Sequence, residues 1–161
     1  MQNLSEMGNA ALTIAMSGVR IIPFSPQKKP YAGFTNWAER ATTDKEQIRQ
    51  WWTIWSNSLI CAPTGVINSF WVLDIDSGNG KNGLESLAKL EAQFGKLESS
   101  MVVRTPSGGL HFYFRLLEGQ NIPSNASVIA PHIDLRGEGG LIILPPSIRP
   151  DGKYEIIEGG I

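Results

Sequence analysis

The sequence has little cysteine, little charge and no long apolar run. Its single cysteine, Cys61, cannot form a disulfide within the chain, so no disulfide framework supports the fold. Charged residues make up 18% of the chain and the formal net charge is −1, which argues against tight, indiscriminate binding to duplex nucleic acid. The apolar runs are far too short to cross a bilayer. The N-terminus lacks a basic leader followed by a small-residue cleavage site, so we expect a reducing, cytoplasmic location.

Length and apolar content predict one domain. A chain of 161 residues with 42% hydrophobic residues can bury a substantial core without disulfides or structural metals. The sequence contains no internal repeat, low-complexity tract or long linker. We therefore expect residues 1–161 to form a single domain.

Hydrophobic spacing predicts an α+β fold. Apolar residues recur at helical intervals in residues 4–17, 44–55 and 82–94, and a Thr-Asp-Lys-Glu capping box beginning at Thr43 marks the start of the second helix. Short apolar or alternating runs predict eight strands: residues 19–24, 58–62, 69–76, 101–104, 110–116, 132–135, 141–144 and 154–157. Helices on one face of a mixed or mainly antiparallel sheet are typical of the α+β class. We expect the helix at residues 82–94 to cover the sheet face opposite the polar side chains.

The stretch at residues 69–76, Ser-Phe-Trp-Val-Leu-Asp-Ile-Asp, is an apolar strand that ends in two carboxylates. Side chains alternate along a strand, so Asp74 and Asp76 share one face, roughly 7 Å apart. Two such anions raise each other's pKa unless a cation neutralises both, and Mg²⁺ or Mn²⁺ is the natural candidate. Carboxylates at strand ends also commonly just solvate a turn, so this pair needs support from elsewhere in the chain.

Two later stretches add ionisable groups to the same surface. Residues 104–115 predict a strand, a glycine turn and a second strand, which places His111 on the polar face of the second strand. Residues 132–137 alternate in the same way and place Asp134 and Arg136 on one face. Three strands therefore present ionisable side chains to one surface.

The ordered set of these motifs resembles the archaeo-eukaryotic primase superfamily. The motifs are Val-Leu-Asp-Ile-Asp at residues 72–76, Ser-Gly-Gly-Leu-His-Phe-Tyr-Phe at residues 107–114 and Ile-Asp-Leu-Arg-Gly at residues 133–137. Within the superfamily, the chain is most similar to the primase-polymerase (prim-pol) domain at the N-terminus of plasmid and phage replication proteins, over residues 19–157. This resemblance implies a sheet of RNA-recognition-motif type, preceded by a smaller αβ unit, with the active site in the cleft between them.

The resemblance also implies an activity, namely template-directed nucleotidyl transfer that joins NTPs or dNTPs along a primed single-stranded DNA template. Asp74, Asp76 and Asp134 would bind one or two Mg²⁺ or Mn²⁺ ions, and His111 would contact the triphosphate of the incoming nucleotide. Arg136 suits a phosphate as a bidentate donor. The resemblance thus implies a primase and DNA polymerase that acts in DNA replication and binds metal, nucleotide and DNA.

Several further residues are weaker candidates for contacts with the nucleotide. The backbone amides of the turn formed by Ser107, Gly108 and Gly109 can face an anion. Lys29 lies in a proline-bounded loop and Thr64 in a turn that resembles a family turn. A solvated loop explains Lys29 equally well.

Two other classes of function use the same features. A non-catalytic module that binds nucleotides or single strands would share the fold, and a metal-dependent nuclease of a replication initiator would share the carboxylates. The carboxylate trio argues against the first, and the lack of a His-x-His pair argues against the second. By resemblance, we expect the domain to begin a longer replication protein that continues into helical and helicase regions.

Overall fold

A computed structural model describes residues 3–160 of the chain. Over this range the fold contains four helices and thirteen short strands. The helices are α1 (Glu6–Met16), α2 (Trp37–Arg40), α3 (Lys45–Ile54) and α4 (Gly83–Phe94). The strands are β1 (Ile22–Phe24), β2 (Leu59–Pro63), β3 (Phe70–Ile75), β4 (Ser77–Gly78), β5 (Lys81–Asn82), β6 (Met101–Arg104), β7 (Leu110–Arg115), β8 (Asn125–Ala130), β9 (Ile133–Arg136), β10 (Leu141–Ile143), β11 (Ile148–Arg149), β12 (Gly152–Lys153) and β13 (Glu155–Gly159). The α+β class is confirmed.

The three predicted helices form close to their expected bounds. The start of α3 differs by one residue from the capping-box prediction, because the carboxylate of Asp44, not the hydroxyl of Thr43, accepts from the backbone amides of Glu46 and Gln47, at 2.9 and 3.1 Å. A carboxylate at the N-cap satisfies donors that the first helical turn leaves unpaired. None of the helices over residues 3–160 is both long enough and apolar enough to span a membrane.

The larger sheet has six strands in the order β13-β6-β7-β3-β9-β8, and all neighbouring pairs are antiparallel. Strand β3 lies between β7 and β9, so Asp74 has His111 opposite it on one side and Asp134 on the other. The apolar side chains of the opposite face pack against Leu87 of α4. This geometry confirms the expectation that His111 and Asp134 share one surface with Asp74, with the helix on the other face.

The smaller sheet has three strands in the order β1-β2-β10. The resemblance implies an αβ unit that simply precedes the large sheet, and this prediction is wrong in one respect. Strand β10 follows the large sheet in the chain and returns to pair antiparallel with β2, with Ile142 opposite Ala62. An apolar run of three residues does not identify its partner strand, which is set by tertiary pairing.

One hydrophobic core joins the two sheets. It contains Trp52 of α3 and Cys61 of β2 together with Val72 and Tyr113 of the large sheet, all at most 2% exposed. Trp52 and its neighbour Trp51 are both buried and fill the core. Because both sheets pack on the same cluster, their relative position is fixed by apolar contacts.

Candidate metal and phosphate site

Three carboxylates converge at the centre of the large sheet. Asp74 and Asp134 face each other across β3 and β9, and Asp76 follows at the first position after β3 ends. One carboxylate oxygen from each residue lies within 4.8 Å of the other two. Three closely spaced carboxylate oxygens form a donor set that suits a hard divalent cation such as Mg²⁺ or Mn²⁺.

Asp74 contacts a histidine and an arginine and is largely shielded from solvent. Its Oδ1 atom lies 3.3 Å from Nε2 of His111, its Oδ2 atom lies 3.5 Å from Nη2 of Arg136, and its side chain is only 13% exposed. Burial alone would raise the pKa of Asp74, but the hydrogen bond and charge of His111, together with the charge of Arg136, hold that pKa below its usual value. Asp74 therefore stays ionised despite its burial.

Arg136 bridges two of the three carboxylates. Its Nη2 atom lies 3.4 Å from Oδ2 of Asp134, as well as 3.5 Å from Oδ2 of Asp74. The guanidinium thus supplies the positive charge that this carboxylate pair requires. Its Nε atom is buried and has no hydrogen-bond partner within residues 3–160, so the side chain retains a free donor.

Asp76 has a different electrostatic environment. Burial raises its pKa, the negative charges of Asp74 and Asp134 raise it further, and Lys81, whose Nζ atom is 3.7 Å from Oδ2 of Asp76, opposes both effects only in part. A carboxylate whose charge is incompletely neutralised gains most from an added cation. An added divalent ion would therefore stabilise ionised Asp76 more than ionised Asp74.

Asp74 and Asp76, but not Asp134, line a cavity of about 400 Å³ between the two sheets. Five of the residues singled out from the sequence line it: Asp74, Asp76, Ser107, His111 and Arg136. Residues on the lining that the sequence analysis did not select include Phe24, Lys28, Trp37, Ser124, Gly139, Gly140, Leu141, Ile143, Arg149 and Tyr154. Lys28 lies in the same loop as the candidate Lys29, whereas Arg149 and Trp37 lie outside the three sequence motifs.

The structure places Lys28, not Lys29, on the cavity lining. Lys28 has a positive φ of 64°, within a tight turn in which its amide donates to the carbonyl of Ser25 at 2.8 Å. This backbone conformation decides which of two adjacent lysines points toward the cavity, and composition gives no signal for it. Burial and the charge of Arg149 lower the pKa of Lys28, while Asp74 opposes them.

Thr64 lies outside the cavity lining and is fully enclosed. It is 1% exposed, and its hydroxyl donates to the carbonyl of Gly137 at 2.6 Å. This bond ties the end of β2 to the residue after β9. The geometry gives Thr64 a role in holding the two sheets together rather than in touching a ligand.

The Ser107 to Gly109 turn approaches the end of β3 very closely. A Cβ atom at Gly109 would lie 2.3 Å from the carbonyl oxygen of Ile75, and Gly108 has a positive φ of 88°. Both positions therefore require glycine, one for space and one for backbone conformation. Their effect is to bring Ser107 to the cavity beside the carboxylates.

Arg149 and Tyr154 extend the site beyond His111. The rings of Tyr154 and His111 have centroids 5.9 Å apart, and Nη1 of Arg149 donates to the hydroxyl of Tyr154 at 3.4 Å. Asp151 also holds Arg149, with Oδ1 lying 3.3 Å from Nε. The cavity thus carries a second set of cations, Lys28 and Arg149, in addition to Arg136.

An antiparallel sheet with a carboxylate trio, a histidine and an arginine in one cavity defines a class of α+β protein with a candidate site for a divalent ion and phosphate. The family model for the N-terminal domain of bifunctional DNA primase/polymerase (Prim-Pol) matches residues 11–160. The chain belongs to this family, as its three motifs had indicated. A comparison with curated proteins finds no match.

Proposed function

We propose that this domain is a nucleotidyltransferase that extends a primer on a single-stranded DNA template, using nucleoside triphosphates and releasing pyrophosphate. The observation that carries the proposal is the convergence of Asp74, Asp76 and Asp134 within 4.8 Å, beside His111 and Arg136, in a chain of the primase/polymerase family. In-line phosphoryl transfer needs positioning and charge stabilisation above all. A carboxylate cluster with adjacent cations supplies both.

The three aspartates would hold one or two Mg²⁺ or Mn²⁺ ions. A bound divalent ion lowers the pKa of an attacking hydroxyl and neutralises charge on the triphosphate. Asp74 is kept ionised by His111 and Arg136, so it is ready to bind a cation at neutral pH. Asp76 and Asp134 complete the oxygen set from the strand end and from the neighbouring strand.

The phosphate chain would lie on the cations of the cavity. Arg136 is adjacent to the carboxylates, and Lys28 and Arg149 line the same cavity. His111 and the turn at Ser107 would contribute contacts between these positions. A triphosphate carries several negative charges, so a site with separated cations matches it better than a single lysine would.

The strand order of the large sheet also supports this proposal. The strand order β9-β3-β7-β6 in the centre of the sheet supports a core of RNA-recognition-motif type. We further propose that the domain acts in DNA replication in the cytoplasm, as the N-terminal part of a longer protein with helical and helicase regions. The primer and the template would enter the cleft between the two sheets.

A primer-extension assay tests the proposal. The protein is incubated with a primed single-stranded template, labelled nucleotides and Mn²⁺, and the product lengths are measured. We expect longer products from the wild type, background incorporation from Asp74→Asn, and wild-type incorporation from the matched surface variant Glu118→Gln. Shorter products would instead indicate a nuclease, and unchanged primer with retained nucleotide binding would indicate a binding module.

A further inference from the structure

The cavity has two walls of opposite character. The wall from the large sheet carries Asp74, Asp76, His111 and Arg136, whereas the wall from the smaller sheet and the segment that follows β1 is apolar apart from Lys28. The apolar residues on the lining are Phe24, Trp37, Leu141, Ile142 and Ile143. Because Arg136, Lys28 and Arg149 line the cavity together with this apolar surface, we expect a ligand that fills it to have an anionic part and an apolar part.

Trp37 is the largest side chain on the apolar wall, and it differs from the core tryptophans. Trp51 and Trp52 are 4% and 1% exposed, but Trp37 is only half-buried and lines the cavity. It begins the four-residue helix α2, which lies in a mostly exposed segment. Phe34, at 3% exposure, anchors this segment in the core.

The side chain of Trp37 is held in place by contacts with the protein core. It packs against the same hydrophobic core that contains Phe34, so part of the ring is fixed and the rest faces the cavity. A partly buried aromatic ring loses little conformational entropy when a ligand stacks on it. This arrangement is typical of an aromatic platform.

We propose that Trp37 is the stacking platform for the base of the incoming nucleotide. The inference rests on the proposed function, because it assigns the anionic part of the ligand to the phosphates at the charged wall. A nucleotide then places its planar base against the apolar wall of the same cavity. Stacking on an aromatic face accepts every base, as a template-directed enzyme requires.

The test separates the base from the phosphates. Calorimetry measures the affinity of wild type, Trp37→Leu and Trp37→Phe for ATP, CTP and inorganic tripolyphosphate, each with Mg²⁺ and without DNA. Trp37→Leu is expected to weaken ATP and CTP binding about 5- to 100-fold and to leave tripolyphosphate binding unchanged. Trp37→Phe, which keeps an aromatic face, is expected to retain most of the nucleotide affinity.

Trp71 provides a matched control. It is also half-buried, but it stacks on Phe114 at 4.3 Å between ring centroids and lies outside the cavity lining. Trp71→Leu is expected to leave the affinity for ATP unchanged. Nucleotide-dependent quenching of tryptophan fluorescence should persist in Trp71→Leu and disappear in Trp37→Phe.

Several results would overturn the inference. Equal losses of ATP and tripolyphosphate affinity in Trp37→Leu would mean that Trp37 acts only through the shape of the cavity. Unchanged ATP affinity with weaker binding of a single-stranded oligonucleotide would assign Trp37 to the template instead. If the wild type binds ATP through Trp37 but never extends a primer, the platform stands and the proposed polymerase activity fails.

Discussion

Arg136 acts as an internal cation of the carboxylate cluster. Its guanidinium bridges Asp74 and Asp134, so a divalent ion that binds both oxygens has to compete with it. Release of the guanidinium would make it available to a phosphate at the moment when the ion arrives. One residue would thereby couple the binding of metal to the binding of nucleotide.

This competition predicts opposite effects of one substitution. Arg136→Gln should strengthen Mn²⁺ binding in the absence of nucleotide by about fivefold, as expected for removal of a partly exposed ion pair worth roughly 1 kcal/mol. The same variant should weaken ATP binding by about tenfold or more, because a charge-assisted contact is lost. Electron paramagnetic resonance of free Mn²⁺ and calorimetry with ATP measure the two affinities. A weaker affinity for Mn²⁺ in Arg136→Gln would contradict the competition.

The raised pKa of Asp76 predicts how stability depends on pH in the metal-free protein. Asp76 binds its proton more tightly in the folded state, so its charged form destabilises the fold near pH 7, and this penalty is relieved as the pH falls through the raised pKa. Asp76→Asn should therefore increase the free energy of unfolding at pH 7, with a smaller gain near pH 4. Urea unfolding in the presence of a chelator measures both values.

Asp74→Asn is the matched comparison for that experiment. The pKa of Asp74 is lowered in the folded state, so its charged form stabilises the fold above the unfolded pKa of about 3.9, and that stability is lost as the pH falls further. Asp74→Asn should therefore decrease the free energy of unfolding at pH 7. Changes of the same sign in the two variants would show that the two carboxylates do not have the opposed environments described here.

At the scale of elements, the glycine turn before β7 is tightly constrained by the end of β3. Gly109→Ala would place a methyl group against the backbone carbonyl of Ile75 at the end of β3, and neither the Cβ atom nor that carbonyl can move without moving its backbone. We expect a loss of about 1 to 3 kcal/mol in the free energy of unfolding, measured by chemical denaturation. Gly160→Ala is the control, since a Cβ atom there meets nothing within 4 Å. Equal stability of the two variants would contradict the close approach.

The sequence predicts the elements with strong periodicity and misses those set by distant contacts. Alternation of polar and apolar residues placed Asp74, His111 and Asp134 on one face, because a strand repeats every two residues. The sequence does not predict strand β8, which lies at an edge of the sheet and leaves most of its residues exposed, including the apolar Val128 and Ile129. Helix α2 was also missed, because four residues are too few to establish a helical period.

Individual site residues follow the same division. His111 and Arg136 were found because they lie inside ordered motifs, but the choice between Lys28 and Lys29 depended on one positive φ angle. Thr64 was selected from a turn that resembled a family turn, yet its hydroxyl is used by Gly137. Tertiary contacts decide which way such side chains point, and local sequence does not encode them.

At the scale of the whole molecule, the shared core predicts a single cooperative transition. Residues of the small sheet and of the large sheet bury one another, as Cys61 and Val72 do in the same cluster. The two sheets should therefore unfold together. Far-ultraviolet circular dichroism and tryptophan fluorescence in urea should give coincident curves. Two separated transitions would instead show that the sheets are independent units.

The return of β10 to the smaller sheet also bears on how the protein is made. Ribosomes release the N-terminal part of a chain first, so β2 emerges long before its partner at residues 141–143. Until then the buried strand Leu59–Pro63 pairs on one side only and presents an open edge, the kind of surface on which nascent chains aggregate. The cavity wall formed by β10 is consequently among the last parts of the domain to assemble. Expression of fragments that end before residue 141 should yield insoluble protein. A chain that includes β10 pairs this strand with the open edge of β2 and should stay in solution.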